Sequence, residues 1–117
     1  MASKALLTLL LLVPACHESS TAPAPDVVGT ITSRAARFNA GVPQMLVQGD
    51  SPGCENSYIV YLHSVQRLRY ASGAPADTSA LVIGAQVRVW TNGMALTSCP
   101  GQVAAIEIEI DRPGPTP

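Results

Sequence analysis

The segment VAAIEIEI, near the end of the chain, constrains the fold more than any other. Ile106, Ile108 and Ile110 alternate in it with Glu107 and Glu109. Because successive side chains point to opposite faces of a strand, this pattern predicts a strand with one buried face and one face in water. No helical periodicity persists for three turns anywhere in the sequence. A fold built from long helices is therefore excluded.

Other short runs are rich in β-branched and aromatic residues and are bounded by turn residues, which predicts strands joined by turns. These strands span residues 26–34, 44–49, 57–63, 66–71 and 86–91. The segment TSALVIGA predicts a brief helical turn before the penultimate strand, and Asn92-Gly93 predicts a tight turn after it. We therefore predict an all-β fold, a small Greek-key barrel of about five to six strands that is OB-fold-like.

The amino terminus has one positive charge at Lys4 and then an apolar run over Ala5–Val13. Such a run is too short to cross a bilayer core, which needs about 20 residues, but it suits a secretory signal. The stretch LVPAC resembles the lipobox of bacterial lipoproteins, with Val13, Ala15 and Cys16 at the matching positions. The resemblance implies cleavage before Cys16 and diacylglycerol on its sulfur. An ordinary signal peptide cleaved nearby and a buried core helix are the alternatives.

These signals divide the chain into four predicted parts. They are a lipoprotein signal peptide over residues 1–15, a lipidated cysteine and flexible tether over 16–25, a barrel domain over 26–111 and a disordered tail over 112–117. Ser, Thr and alternating Pro keep the tether extended. His17, not Asp, follows the lipidated cysteine, which favours the outer membrane if the source is Gram-negative. We expect an exported protein that is lipid-anchored to the bacterial cell envelope.

The stretch LVIGAQVRVWTNGMALTSCPGQVAAIEIEI resembles the C-terminal half of the YobA-like family, a group of uncharacterised small bacterial exported proteins. The shared pattern is a glycine turn, a V-x-V-W strand, a second glycine turn, Ser-x-Pro and a final Ile/Glu strand. Here it corresponds to Gly84, Val87, Val89, Trp90, Gly93, Ser98, Pro100 and Ile106–Ile110. The chain departs from the pattern at Cys99, where we expect a tyrosine or another large residue. The resemblance implies an OB-like barrel and no established activity.

Two cysteines remain beyond the lipidated one. Cys54 and Cys99 lie in the loop segments SPGCENS and TSCPGQ. Two remaining cysteines in an exported protein usually pair, so we predict a disulfide between them. Two free thiols are the alternative. A metal site is a weaker alternative because neither a C-x-x-C nor an H-x-x-x-H spacing is present; we predict no metal and no cofactor.

Catalytic motifs are not apparent in the sequence. It contains neither a G-x-S-x-G nucleophile motif nor a glycine-rich phosphate cradle. The carboxylates of Asp50, Glu55 and Asp77 sit in turns, where such residues commonly cap their own backbone. His63, the one histidine of the domain, is interpreted as a half-buried residue at a strand end. We therefore predict no catalytic residues.

Aromatic and guanidinium groups occur together on neighbouring predicted strands, with Tyr58, Tyr70 and Arg88 close by. The ligand-face candidates are Tyr61, Arg67, Arg69 and Trp90. OB folds bind polymers across such a face by stacking. The opposing interpretation places the aromatic rings in the core and the arginines in solvent.

The leading functional hypothesis is a membrane-anchored lipoprotein that acts as a non-catalytic binding or envelope-interaction module. Its partners would be the membrane, through the N-terminal lipid, and an envelope polymer or protein. One alternative is a small hydrolase or enzyme inhibitor assembled from loops. The other is an OB protein that binds oligonucleotides or oligosaccharides. The formal net charge of −1 argues against a nucleic-acid partner, which normally requires a basic surface.

Overall fold

The computed structural model of the chain describes residues 23–35 and 41–115. Within them lie six strands: β1 Val27–Ser33, β2 Gln44–Gln48, β3 Ser57–Tyr61, β4 Arg67–Tyr70, β5 Gln86–Leu96 and β6 Gly101–Arg112. Short 3-10 helices, Cys54–Asn56 and Thr78–Ala80, precede β3 and β5. The predicted signal peptide, Cys16 and the tether up to residue 22 lie outside the described residues. Within residues 23–35 and 41–115, no helix is long and apolar enough to cross a bilayer.

Five of the strands close into a barrel. β1 pairs antiparallel with β2 and β5, β2 pairs with β3, and β5 pairs with β6. A parallel pairing between β3 and β6 completes the circle. β4 lies outside this circle and pairs in parallel with the second half of β6. The predicted small OB-like barrel is confirmed, and a 3-10 helix stands where the sequence predicted a helical turn.

The core lies inside the barrel and consists of aliphatic residues that alternate with outward-facing ones. In β1, Val27 and Ile31 are buried while Val28 and Thr32 are exposed. Gly29 faces the core between them at a point where β1 and β2 approach closely. A Cβ atom built at this glycine would lie 2.2 Å from the carbonyl oxygen of Gln48. Any side chain here would force β1 and β2 apart, which explains the glycine in a strand.

A β-bulge interrupts the alternation in β6. Trp90 pairs with Glu107 and the next residue, Thr91, pairs with Ala105, so Ile106 is the extra residue. Odd-numbered residues face the core before the bulge and even-numbered residues face it afterwards. The prediction that Ile106 shares a buried face with the next two isoleucines is therefore wrong, since this residue is half-buried. Bulges of this kind bend and twist a strand, as a closed barrel requires.

The end of β5 also differs from the sequence-based expectation. Asn92-Gly93 does not reverse the chain; instead Thr91 pairs with Ala105 and Ala95 with Val103, so residues 92–94 form a bulge within the strand. Gly93 has a φ of 88°, the left-handed conformation that made the dipeptide resemble a turn. The chain reverses later, over residues 97–100, between β5 and β6.

The carboxyl-terminal segment contacts the barrel near the end of β6. β6 continues through Arg112, although the predicted disordered tail begins there. Gly114 packs against the turn that precedes β5, where a Cβ atom would lie 2.8 Å from Cγ2 of Val82 and 2.9 Å from the carbonyl oxygen of Ile83. Residues 114 and 115 therefore pack against the segment that leads into β5.

Candidate binding face

Charged side chains cover the outer surface of β4, the second half of β6 and β5. The register forms two cross-strand rows, Arg67–Glu107–Trp90 and Arg69–Glu109–Arg88. Their sequence neighbours on β5 and β6 face the core, so these side chains point outward. We call this surface the arginine–tryptophan face; it comprises Arg67, Arg69, Arg88, Trp90, Glu107, Glu109 and Asp111.

Arg69 occupies the centre of the face and is engaged within it. Its Nη1 donates to Oε2 of Glu107, and its Nη2 donates to Oε1 of Glu109 at 3.0 Å. Its Cζ atom lies 5.5 Å from the centroid of the Trp90 ring, within the range of a cation–π interaction. The hydrogen bond that Arg69 donates to Glu107 raises the pKa of Arg69 above its ordinary value. The guanidinium therefore serves to hold the face together.

Arg67 and Arg88 form the outermost charges of the face. The Arg67 side chain is 69% exposed and its Nη1 lies 3.9 Å from Oε2 of Glu107, too far for a hydrogen bond. Arg88 is 50% exposed and approaches Oδ2 of Asp111 at 2.6 Å through its Nε. The carboxylates beneath are recessed, with Glu109 at 17% exposure. A molecule approaching this face meets guanidinium groups before it meets carboxylates.

Trp90 connects the face to the chain segment that enters the barrel. Its Nε1 donates to the carbonyl oxygen of Pro23 at 2.9 Å. The backbone N–H of Asp26 donates to the carbonyl of Val89 at 2.8 Å. The Asp26 carboxylate accepts from the backbone N–H of Thr91 at 2.9 Å. Residues 23–26 thus run beside β5, a contact that the sequence did not reveal.

Tyr61 does not lie on the arginine–tryptophan face. It pairs with Ala104 in the first half of β6, and its hydroxyl donates to Oε1 of Gln102 at 2.7 Å. Its buried ring helps to line an apolar groove of about 210 Å³ together with Leu96 and Val103. The structure therefore brings three of the four candidate residues together and separates the fourth. The other two tyrosines, Tyr58 and Tyr70, pack against the core.

The two loop cysteines form the predicted disulfide. Cys54 and Cys99 have Cα atoms 5.2 Å apart and lie 45 residues apart in the sequence. The bond joins the segment before β3 to the loop between β5 and β6, and both residues are exposed. Glu55 lies beside them, but sulfurs bonded to each other provide no thiolate ligands for a metal.

The described residues do not combine an acid–base pair with a nucleophile. Glu107 and Glu109 accept hydrogen bonds from Arg69, so both carboxylates are engaged in contacts that hold the strands together. Asp77 accepts from the backbone N–H of Ser79 at 3.0 Å and thereby caps a 3-10 helix. His63 is exposed rather than half-buried, and its ring lies 6.3 Å from that of Tyr61.

The register of β4 against β6 could not be deduced from the sequence. A parallel pairing between strands separated by a long connection leaves no turn signal from which to count. The spacing of Arg67 and Arg69 does match that of Glu107 and Glu109, and opposite charges on neighbouring strands favour such pairing. This charge complementarity is the sequence feature that favours the observed register of β4 against β6.

Comparison with known proteins does not extend this picture. No family model, no curated protein and no solved structure matches the chain. The resemblances to the lipobox and to the YobA-like family remain predictions.

Proposed function

We propose that the chain is an exported, lipid-anchored binding module of the bacterial cell envelope, without catalytic activity. Its binding surface is the arginine–tryptophan face. The observation that carries this proposal is the exposure of Arg67 and Arg88 above a recessed row of carboxylates, beside a half-buried tryptophan. The lipid anchor is supported by the LVPAC segment that ends at Cys16, and in a Gram-negative source it would place the protein in the outer membrane.

The chemistry of the face favours ligands that carry phosphate or carboxylate groups. A guanidinium presents a planar fork of donors that matches both groups. Arg67 and Arg88 lie on β4 and β5, either side of β6. Neighbouring strands are about 4.8 Å apart, so two residues separated by one strand lie about 10 Å or more apart. Arg67 and Arg88 can therefore contact separate anionic groups of one extended ligand. Arg69, engaged by Glu107 and Glu109, sets the position of Trp90 but does not contact the ligand.

The first experiment tests the anchor. Cys16→Ser removes the sulfur that would carry diacylglycerol, and we expect this variant to lose palmitate labelling and to leave the detergent phase in a detergent-partition assay. The matched control is Ser19→Ala, which changes the predicted tether and leaves the LVPAC segment and both loop cysteines intact. Equal palmitate labelling of wild type and Cys16→Ser would refute lipidation at this residue.

The second experiment tests the face. Arg67→Ala combined with Arg88→Ala removes both outermost charges, and we expect it to weaken binding to outer-membrane and cell-wall fractions by about tenfold or more, as loss of charged contacts at a binding site typically does. Arg112→Ala is the matched control, because Arg112 is exposed at the end of β6 and lies outside the face. Equal binding by wild type and double variant would refute the choice of face.

A further inference from the structure

We propose that the arginine–tryptophan face binds the phosphate headgroups of the same membrane that holds the lipidated cysteine. This inference rests on the proposed function and specifies the source of the anionic groups. It assigns the barrel an orientation: the outer surface of β4, β6 and β5 faces the bilayer, and the disulfide-linked loops lie elsewhere on the barrel.

The chain enters the barrel beside Trp90. The carbonyl of Pro23 accepts from the Trp90 indole, and Asp26 is held by the backbone of Val89 and Thr91. The segment that leads back to the anchor therefore starts at the face itself. Three hydrogen bonds on consecutive residues of β5 fix this starting point.

Only a short length of chain separates this entry point from the anchor. Cys16 and Pro23 are about seven residues apart, and an extended chain spans at most about 3.6 Å per residue. The acylated cysteine consequently lies within about 25 Å of the Trp90 contact, less than the thickness of one bilayer. A tether of this length, attached at the face, keeps the face close to the headgroups.

The exposed groups of the face are of the types that favour a bilayer surface. Arg67 and Arg88, at 69% and 50% exposure, are the parts of the face that reach furthest into solvent. Arginines next to a bilayer are attracted to its anionic lipids, and tryptophan favours the headgroup level because its ring is apolar and its N–H is polar. A soluble glycan has no need of a short tether at the binding face, so the tether favours the headgroups over a polymer.

Trp90 is the one tryptophan of the chain, so its fluorescence reports on this face alone. The mature lipidated protein is reconstituted into vesicles of phosphatidylcholine, with and without phosphatidylglycerol. We expect acrylamide to quench Trp90 at least about twofold less in the vesicles with phosphatidylglycerol, because the anionic lipid draws the face onto the surface. A headgroup spin label should quench Trp90 more strongly in the same vesicles. High salt should reverse both effects, because screening weakens the attraction of exposed charges.

Arg67→Gln combined with Arg88→Gln should abolish the difference between the two vesicle types, whereas Arg112→Gln should retain it. Thermal melts of both variants establish that they are folded. Equal quenching of the wild type in both vesicle types, with the protein bound to each, would overturn this inference and leave the anchor intact. A protein that binds neither vesicle type would overturn the anchor and this inference together. If Trp90 responds to isolated cell-wall polymer and not to vesicles, the face binds a glycan and the headgroup assignment is wrong.

Discussion

The two halves of β6 belong to one strand but differ in their neighbours, their buried faces and their chemistry. Residues 101–105 lie between β3 and the end of β5, with odd-numbered residues in the core. Residues 107–111 lie between β4 and β5, with even-numbered residues near the core and three carboxylates outside. The bulge at Ile106 separates them.

This difference shows how one strand of a small barrel can combine a barrel-closing region with a charged surface. The first half of β6 closes the barrel by pairing with β3. Its outward-facing side chains carry no charge. The bulge reverses which residues face outward, so that the second half presents its carboxylates to the arginines of β4 and β5. One inserted residue thus separates a structural region from a charged region.

The largest expected effect concerns the first half. Replacing Cys54 and Cys99 together by serine removes the bond that joins the segments leading into β3 and β6. We expect the free energy of unfolding to fall by about 4 kcal/mol in the chain-entropy model for a separation of 45 residues. Urea denaturation of wild type and double variant measures the change. Alkylation of native wild-type protein provides the control, and modification of either cysteine without reductant would contradict the pairing.

The next effect tests the bulge itself. Ile108 is 0% exposed in the core, so Ile108→Ala should lower the free energy of unfolding by about 3 kcal/mol through lost burial and a residual cavity. Ile106→Ala is the matched control, since the same atoms are removed from a half-buried position, and it should cost less than about 1.5 kcal/mol. Equal losses for the two variants would mean that strict alternation continues and that β6 has no bulge.

A smaller effect distinguishes the two arginines of β4, which pairs with the second half of β6. Arg69→Ala removes hydrogen bonds to Glu107 and Glu109 together with the contact to Trp90, and we expect a loss of about 1–2 kcal/mol. Arg67→Ala removes an exposed charge with a long ion pair and should change the stability by less than about 0.5 kcal/mol. Thermal denaturation distinguishes them. If Arg67→Ala proves the more destabilising, the assignment of structural and binding roles to the two arginines is wrong.

Much of the fold was predictable because strand signals here are local. Short runs of β-branched, other aliphatic or aromatic residues marked the strands, and turn residues marked most of the connections. The positions of the bulges were not predictable, since Ile106 continues the sequence pattern without interruption and only the closure of the barrel requires an extra residue there. At Gly93 the sequence predicted a turn, whereas the structure has a bulge. The left-handed conformation that glycine adopts readily suits both.

The candidate site was predictable in composition but not in arrangement. The sequence predicted that Arg67, Arg69 and Trp90 share a face, which the register of β4, β6 and β5 brings about. It could not separate Tyr61 from them, because that depends on where β6 changes neighbours from β3 to β4. It also could not show that Arg69 is engaged by glutamates while Arg67 is exposed, since that difference arises from contacts across strands rather than from spacing.

The most direct test of the account is to locate the binding surface on β6. Isotope-labelled protein, lipidated and held in neutral detergent, is titrated with inorganic pyrophosphate while backbone amide shifts are followed by NMR. We expect the shift changes to concentrate at residues 67–70, 86–90 and 107–111, and to leave residues 101–105 nearly unchanged. Changes that are largest around Tyr61, Leu96 and residues 101–105 would place the binding surface on the first half of β6 and contradict the account.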